Sequence, residues 1–284
     1  MTFKNSNIFG GGQKKFSEDS IEDLDISNIS SVSLSRTSKG VLYKWIADMD
    51  GSICYIKTGR LNYGKFSSLE PISEVIAFEL GKLLGLSMVE TDYAEITLKD
   101  NPKYKSQDIL VSYSKNFLED GEVFLSIYKI HESKFDYNIF SKFSPQYLDD
   151  LNKMLIFDFI INNTDRHLNN FGFICDEDTL EIKRFVPIFD NGSSLLSDLS
   201  DNDLIEMSAK DIDDFSICKP FINNQLQQLK LVKYLPKINL DLSREDICAV
   251  VDNFSLDISQ KRYSSIVNLV CRRLNYVKQV FSKV

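Results

Sequence analysis

Two short segments carry side chains able to handle phosphate and a hard metal ion. Asp165-Arg166-His167-Leu168-Asn169-Asn170 follows one apolar run, and Asp190, ahead of Asn191-Gly192, follows another. An Asp and an Asn five residues apart on an irregular loop, with a second Asp beyond a short hairpin, offer hard oxygen ligands. Mg²⁺ takes such ligands and usually shares them with phosphate oxygens. One carboxylate can then bind metal while the other orients or deprotonates a hydroxyl. The phosphates also need a cation, and Lys57 ends the strand-like stretch Ile53-Cys54-Tyr55-Ile56-Lys57. Glu74 lies in the first turns of the next helical stretch, where it could hold that lysine. In chain order these are a strand lysine, a helix glutamate, a loop Asp and Asn, and a metal Asp, which are the parts of a phosphoryl-transfer site.

Each residue alone has a plainer role. A lysine at a strand end is usually a solvated charge. Glu74 could simply favour a helix N-terminus. Asp165 and Asn170 could brace a loop through side-chain-to-backbone bonds. A histidine such as His167 more often packs a loop than acts as a base. Asp190-Asn191-Gly192 alone reads as a turn. Their order, spacing and element types jointly favour the catalytic reading. Metal hydrolysis by a zinc-protease motif is excluded, because His131-Glu132 lacks its second histidine and has Phe135 in that place.

The elements that must position these groups can be read from periodicity. Val41, Tyr43 and Trp45 alternate, Asp48-Met49-Asp50-Gly51 supplies a turn, and Ile53–Lys57 returns as the second strand of a hairpin. Residues 71–84 form a helix with Pro71 in its first turn and an apolar stripe of Ile72, Ile76, Leu80 and Leu83. Gly85 is its stop. Val89–Leu98 and Asp108–Ser112 read as strands. Ser144-Pro145 then opens a helix with Leu148, Leu151, Leu155 and Phe159 on one face. That helix ends in the polar loop Asn162–His167. A second hairpin pairs Phe171–Cys175 with Leu180–Val186, and Pro187-Ile188-Phe189-Asp190 closes it. Residues 191–220, rich in Ser and Asp, suggest a long surface loop. Ser243–Asn253 and Ile258–Phe281 are helical. No internal repeat is evident. The expected plan is α+β: a mobile or loosely docked segment over 1–30, a β-rich N-lobe with one prominent helix over 31–117, and a helical C-lobe over 118–284, with a polar cleft between the lobes.

Composition narrows the function classes. The 284 residues are 43% hydrophobic and 26% charged, an ordinary globular balance with ample core. The formal net charge of −8 disfavours direct binding of nucleic acid, which calls for a basic excess. Five widely spaced cysteines without a CxxC pair read as free thiols in a reducing compartment. The N-terminus lacks a signal-peptide core, and no uncharged apolar run reaches membrane-spanning length. A cytoplasmic protein is expected, with export as an effector by a route without a cleavable signal left open.

With these residues in view, the chain resembles the HipA-like family of bacterial serine/threonine kinases, whose protein-kinase-like fold is shared with the phosphoinositide kinases. Within that family it looks like the compact Helicobacter cell-translocating type. The resemblance is carried by FDFIINNTDRHLNNFGFI (157–174) and FVPIFDNGSSLL (185–196), and it extends through SEVIAFELGKLLGL (73–86), SYSKNFLEDGEVF (112–124) and LPKINLDLSREDICAVVDN (235–253). It covers roughly residues 35–280. It implies a bilobal kinase fold and ATP with Mg²⁺ as cofactors. It implies that Lys57 contacts the α- and β-phosphates and pairs with Glu74, and that Asp165 positions or deprotonates the acceptor hydroxyl. Asn170 and Asp190 would hold Mg²⁺, and His167 would support the loop. Adenine would lie near Val111–Lys115, which includes Ser112. The phosphate-covering loop would be Ser35-Arg36-Thr37-Ser38-Lys39-Gly40, so Ser38, Lys39 and Gly40 would face the nucleotide. This loop has a single glycine; neither GxGxxG nor a Walker GxxxxGK occurs, and no Ala-Pro-Glu follows Asp190. The extra N-terminal subdomain of a full-length HipA is expected to be missing or supplied by another polypeptide.

The resulting expectation is an ATP- and Mg-dependent kinase that transfers the γ-phosphoryl to a Ser/Thr hydroxyl of a protein, with autophosphorylation. Ser35, Thr37 or Ser38 would be the modified residue, where a phosphate adds about −2 charge beside the nucleotide's own. Two other readings stay open. A lipid or small-molecule kinase would share the DRHxxN pattern. A non-catalytic pseudokinase could serve as a binding module in a toxin–antitoxin or host-interaction system. The expected partners are ATP and a protein substrate, with an antitoxin or accessory polypeptide as a further candidate and no membrane span.

Overall fold

Alternating apolar and polar residues build the first sheet. Strands β1 (Lys44–Met49), β2 (Ser52–Thr58), β5 (Thr91–Leu98) and β6 (Gln107–Lys115) pair antiparallel in the order β1-β2-β6-β5. The computed structural model describes residues 42–49, 52–100, 102–131, 135–215 and 217–282. The 1–30 segment, the phosphate-loop candidates Ser35 to Gly40, Val41 and the turn residues Asp50 and Gly51 lie outside the described residues. One face of the sheet buries Cys54, Ile56, Ala94, Ile96, Ile109 and Val111. Period-two alternation puts Lys57 and Ser112 on the opposite face, directly across from each other in the β2–β6 register. A two-residue hairpin, β3 (Leu61–Asn62) with β4 (Lys65–Phe66), leads into helix α1 (Leu69–Leu83).

Helix α1 stops as its sequence dictates. Gly85 takes φ +74, its N–H donates to Lys82 O, and Leu86 N–H donates to Gly81 O. This paired arrangement satisfies the last carbonyls and needs a residue without a Cβ penalty at Gly85. The apolar stripe runs Ile72, Ile76, Leu80, Leu84, all buried. Leu83, expected to complete it, is exposed, because four-residue steps carry the row to Leu84.

The described residues divide into two compact units. One comprises those up to Val75 with Glu90–Asn116, and the other Ile76–Val89 with Phe117 onward. The second unit has its own antiparallel sheet of β7 (Glu122–Ser126), β8 (Gly172–Asp176) and β9 (Ile182–Phe185), in that order. Its helices are α2 (Ile127–His131), α3 (Tyr137–Phe143), α4 (Leu148–Ile161), α5 (Asp201–Glu206), α6 (Ala209–Phe215), α7 (Gln225–Leu229), α8 (Arg244–Asp252) and α9 (Gln260–Phe281). Pro145–Tyr147 forms a 3-10 turn ahead of α4. Helix α4 is buried on nearly all sides from Leu151 to Ile161, which marks it as the central element of its unit. The long α9 packs on α4, α5 and α8.

The stretch 191–220 is not the surface loop its composition suggests, because α5 and α6 lie within it. Each is opened by a reciprocal cap. Ser200 Oγ accepts from Asp203 N–H while Asp203 accepts from Ser200 N–H, and Ser208 and Asp211 repeat the arrangement. Helices of six and seven residues are too short to show a periodic stripe. Arginines of α9 fasten this stretch from inside. Arg262 donates to Leu196 O, Leu199 O and Asp201. Arg273 donates to Phe159 O at 2.6 Å, pairs with Asp213 at 3.0 Å and stacks on the Phe159 ring. Burial draws the Arg273 guanidinium down to about 10, with Asp213 opposing, so it stays charged at neutral pH. No helix among the described residues is long and apolar enough to cross a membrane.

Candidate active site

In the first unit, Lys57 Nζ lies 4.0 Å from Glu74 Oε2, with both side chains largely buried. The spacing is that of a charge pair without a direct hydrogen bond. One turn earlier on α1, Glu70 Oε1 accepts from Arg60 Nε at 2.9 Å. Two carboxylates four residues apart on one helix face thus meet two cations from the end of β2 and the loop beyond it. Gly59 sits between those cations, and a Cβ there would come within 2.0 Å of Ser67 O, so the close approach requires glycine.

In the second unit the key side chains follow α4. Asn162 ends the helix in a left-handed conformation with φ +56. Asn163 is fully buried, with Nδ2 donating to Asp158 Oδ1 at 2.9 Å and Oδ1 accepting from Asp165 N–H at 3.0 Å. The loop then closes on itself. His167 N–H donates to Asp165 O at 2.7 Å, Asn170 N–H to His167 O at 2.8 Å, and Asn169 N–H to His167 Nδ1 at 3.3 Å. Burial pushes the His167 imidazole below its ordinary value, against the pull of Asp165 and Asp190. A neutral ring suits an Nδ1 that accepts a hydrogen bond.

Arg166 is the hub. Its guanidinium is fully buried and makes a forked pair with Asp158, Nε to Oδ2 and Nη2 to Oδ1, both at 3.0 Å. Nη1 reaches Phe189 O and, at 3.4 Å, Asn170 O, while Nη2 also reaches Asn191 Oδ1. One side chain therefore grips α4, the loop residue Asn170, and both neighbours of Asp190. Burial raises the Asp158 carboxyl, while Arg166 and Asn163 draw it back. Asp190 itself takes φ +58, a conformation that costs a non-glycine residue about 1–3 kcal/mol and persists only where the surroundings fix it. Phe189 is further held between the rings of Phe117 and Phe124.

The donors fit a hard divalent cation. Asn170 Nδ2 donates to Asp165 O at 3.3 Å, which leaves Oδ1 as the side chain's ligating atom. An amide oxygen and the Asp190 carboxylate are Mg²⁺-type ligands. Among the described residues no cluster of three or more His, Cys, Asp or Glu side chains could hold a metal alone. A two-ligand set of this kind shares its ion with phosphate oxygens.

Residues 31–239, more than half of the chain, match the profile of HipA-like kinases. The chain belongs to the HipA-like kinase family. Its fold is similar to that of the Helicobacter pylori proinflammatory kinase CtkA, with a TM-score of 0.54 and 17% identity over 81% of this chain and 89% of that one. Similarity also extends to HipA from the Shewanella oneidensis MR-1 toxin–antitoxin complex of HipA, HipB and operator DNA, at a TM-score of 0.46 and 12% identity, over 86% of this chain and 64% of that one. No curated protein matches the chain in sequence.

In this HipA-like kinase, Lys57, Glu74 and Ser112 gather in the first unit, and Asp165, His167, Asn170 and Asp190 in the second. Ser38, Lys39 and Gly40 lie outside the described residues. Sequence reasoning missed Arg166, Asp158, Arg60 and Glu70. Asp158 carried a signal, since it interrupts the apolar run Leu155–Ile161 and a charge inside a core helix needs a partner. Lys219 was missed as well: its Nζ lies 2.6 Å from Asp165 Oδ1, and 54 residues of sequence separate them.

Proposed function

We propose that this HipA-like kinase transfers the γ-phosphoryl of ATP to a Ser or Thr hydroxyl of a protein, itself included. The observation that carries the reading is the Arg166 hub, which ties the Asp165–Asn170 loop to the residues flanking Asp190. A scaffold has no need to bury a charged pair in order to fix an Asp in a left-handed conformation. Lys57, held near Glu74, neutralises the α- and β-phosphates. Asp165 orients the acceptor hydroxyl and takes its proton. His167, kept neutral, stiffens the loop through its Nδ1. Asn170 Oδ1 and Asp190 would hold Mg²⁺, which would offset charge on the phosphate oxygens. Positioning and electrostatics supply the acceleration, because phosphoryl transfer asks little covalent work of the protein.

The test is incubation with γ-labelled ATP and Mg²⁺, alone and with a bacterial lysate, beside Asp190→Asn. Label on this protein or on a lysate protein, reduced at least about 100-fold in the variant, is expected. Peptide mapping should place autophosphorylation within residues 30–45. Full labelling by Asp190→Asn would remove the metal assignment, and label on lipid or metabolite alone would replace the protein acceptor.

A further inference from the structure

Lys219 has no part in the motif reading, yet its ammonium touches the carboxylate at the centre of it. Its Nζ donates to Asp165 Oδ1 at 2.6 Å, with the lysine side chain half exposed and the aspartate 22% exposed. A surface lysine–aspartate pair contributes little to stability, typically about 0–1 kcal/mol. The backbone beneath this lysine, however, is held far more firmly than such a pair requires. Gln228, 2% exposed, donates from Nε2 to Lys219 O at 2.7 Å and accepts from Phe221 N–H at 3.0 Å and Ile222 N–H at 3.3 Å. Gln225, one helical turn earlier on α7, donates to Asn163 O at 2.6 Å. The same short helix therefore clamps the Lys219 backbone and the loop that bears Asp165. Phe221 packs against Phe171, the residue after Asn170, with ring centroids 6.2 Å apart.

This geometry fixes the backbone from which the ammonium reaches Asp165. Arg166, the next residue after Asp165 in sequence, is fully buried and turned inward to Asp158 and Asn191. Lys219, by contrast, is half exposed where it meets Asp165.

We infer that Lys219 is a catalytic residue, which contacts the phosphoryl group in flight from the Asp165 side. The inference rests on the kinase reading above and adds a residue to it. In the transfer, the acceptor oxygen bonds to the γ-phosphorus as the bond from that phosphorus to the β,γ-bridging oxygen breaks. ADP leaves with that electron pair, and the acceptor proton passes to Asp165. Lys219 stays protonated, and its hydrogen bond shifts from Asp165 to an oxygen of the transferring group. Charge spreads over those oxygens in the transition state, so a mobile donor on a fixed backbone acts there more than in the ground state.

The test compares wild type with Lys219→Met and Lys219→Arg. Autolabelling and labelling of myelin basic protein are followed at saturating Mg·ATP, and calorimetry measures binding of ADP with and without aluminium fluoride, which mimics the planar phosphoryl group. Lys219→Met is expected to slow transfer about 10²–10³-fold. Its Tm and ADP affinity should match wild type, while the extra affinity conferred by aluminium fluoride disappears. Lys219→Arg should recover part of both. Transfer by Lys219→Met at the wild-type rate, or an equal loss of affinity for ADP with and without fluoride, would overturn the role of Lys219 and leave the kinase reading standing. A wild-type protein that labels nothing and gains no affinity from fluoride would overturn both.

Discussion

At the scale of single residues, the decisive fact is a buried charge pair adjoining an exposed site. Arg166 and Asp158 are 0% and 1% exposed, and each satisfies the other through a forked contact. Removing one partner of such a pair strands a charge in the interior, whereas removing both does not. Asp158→Ala should therefore destabilise the protein by about 3–5 kcal/mol in urea denaturation. Asp158→Leu combined with Arg166→Leu should cost less than the two single changes summed, because it leaves no unpaired charge. Additive losses would show that the pair contributes only packing. The double variant should still lose phosphoryl transfer, since it removes the guanidinium's bonds to Asn170, Phe189 and Asn191.

At the scale of elements, short caps and turns do what periodicity does not reveal. The β8–β9 turn is built on Asp176, which accepts from Asp178 N–H, Thr179 N–H and Oγ1, and Lys183 Nζ. These donors, led by the Thr179 backbone, lower its carboxyl from 3.8 to about 2. A folded value below the unfolded one means the unfolded chain binds more protons between the two. The contribution is thus fully present above pH 3.8 and is lost as pH falls through about 2. The Tm difference between wild type and Asp176→Ala should be constant near neutrality and shrink as pH falls from about 4 to 2. A difference that persists at pH 2 would assign the effect to packing. Helices α5 and α6 depend on the same local chemistry, through S-x-x-D caps at Ser200 and Ser208 that the reading of 191–220 as a loop did not use.

At the scale of the whole molecule, the two units each carry part of the proposed nucleotide machinery, Lys57 and Glu74 in one and Asp165 to Asp190 in the other. Ligand that binds only the folded chain raises its stability by mass action, about 2.7 kcal/mol at a hundredfold excess over Kd. Thermal shift with Mg·ATP should raise Tm, and addition of EDTA to the same ATP should remove most of the gain. Asp190→Asn should show only the metal-independent part. An identical shift with and without EDTA would mean that nucleotide binding does not use the Asn170–Asp190 oxygens.

The sequence by itself determined two hairpins, the major helices, the family and the order of the charged residues, because alternation, helical spacing and the DRHxxN pattern are local signals. It put Lys57 and Ser112 on separate strands; the β2–β6 register made them neighbours. It made Asp165 legible but not the partners of Arg166 or Lys219. Arg166 reads as solvated charge until α4 supplies Asp158, and Lys219 reads as an ordinary loop lysine until Gln228 fixes its backbone. Burial and contact across 54 residues are properties of the closed chain. The tertiary structure alone decided them, since only packing can withdraw Arg166 from water onto Asp158 while delivering Lys219 to Asp165.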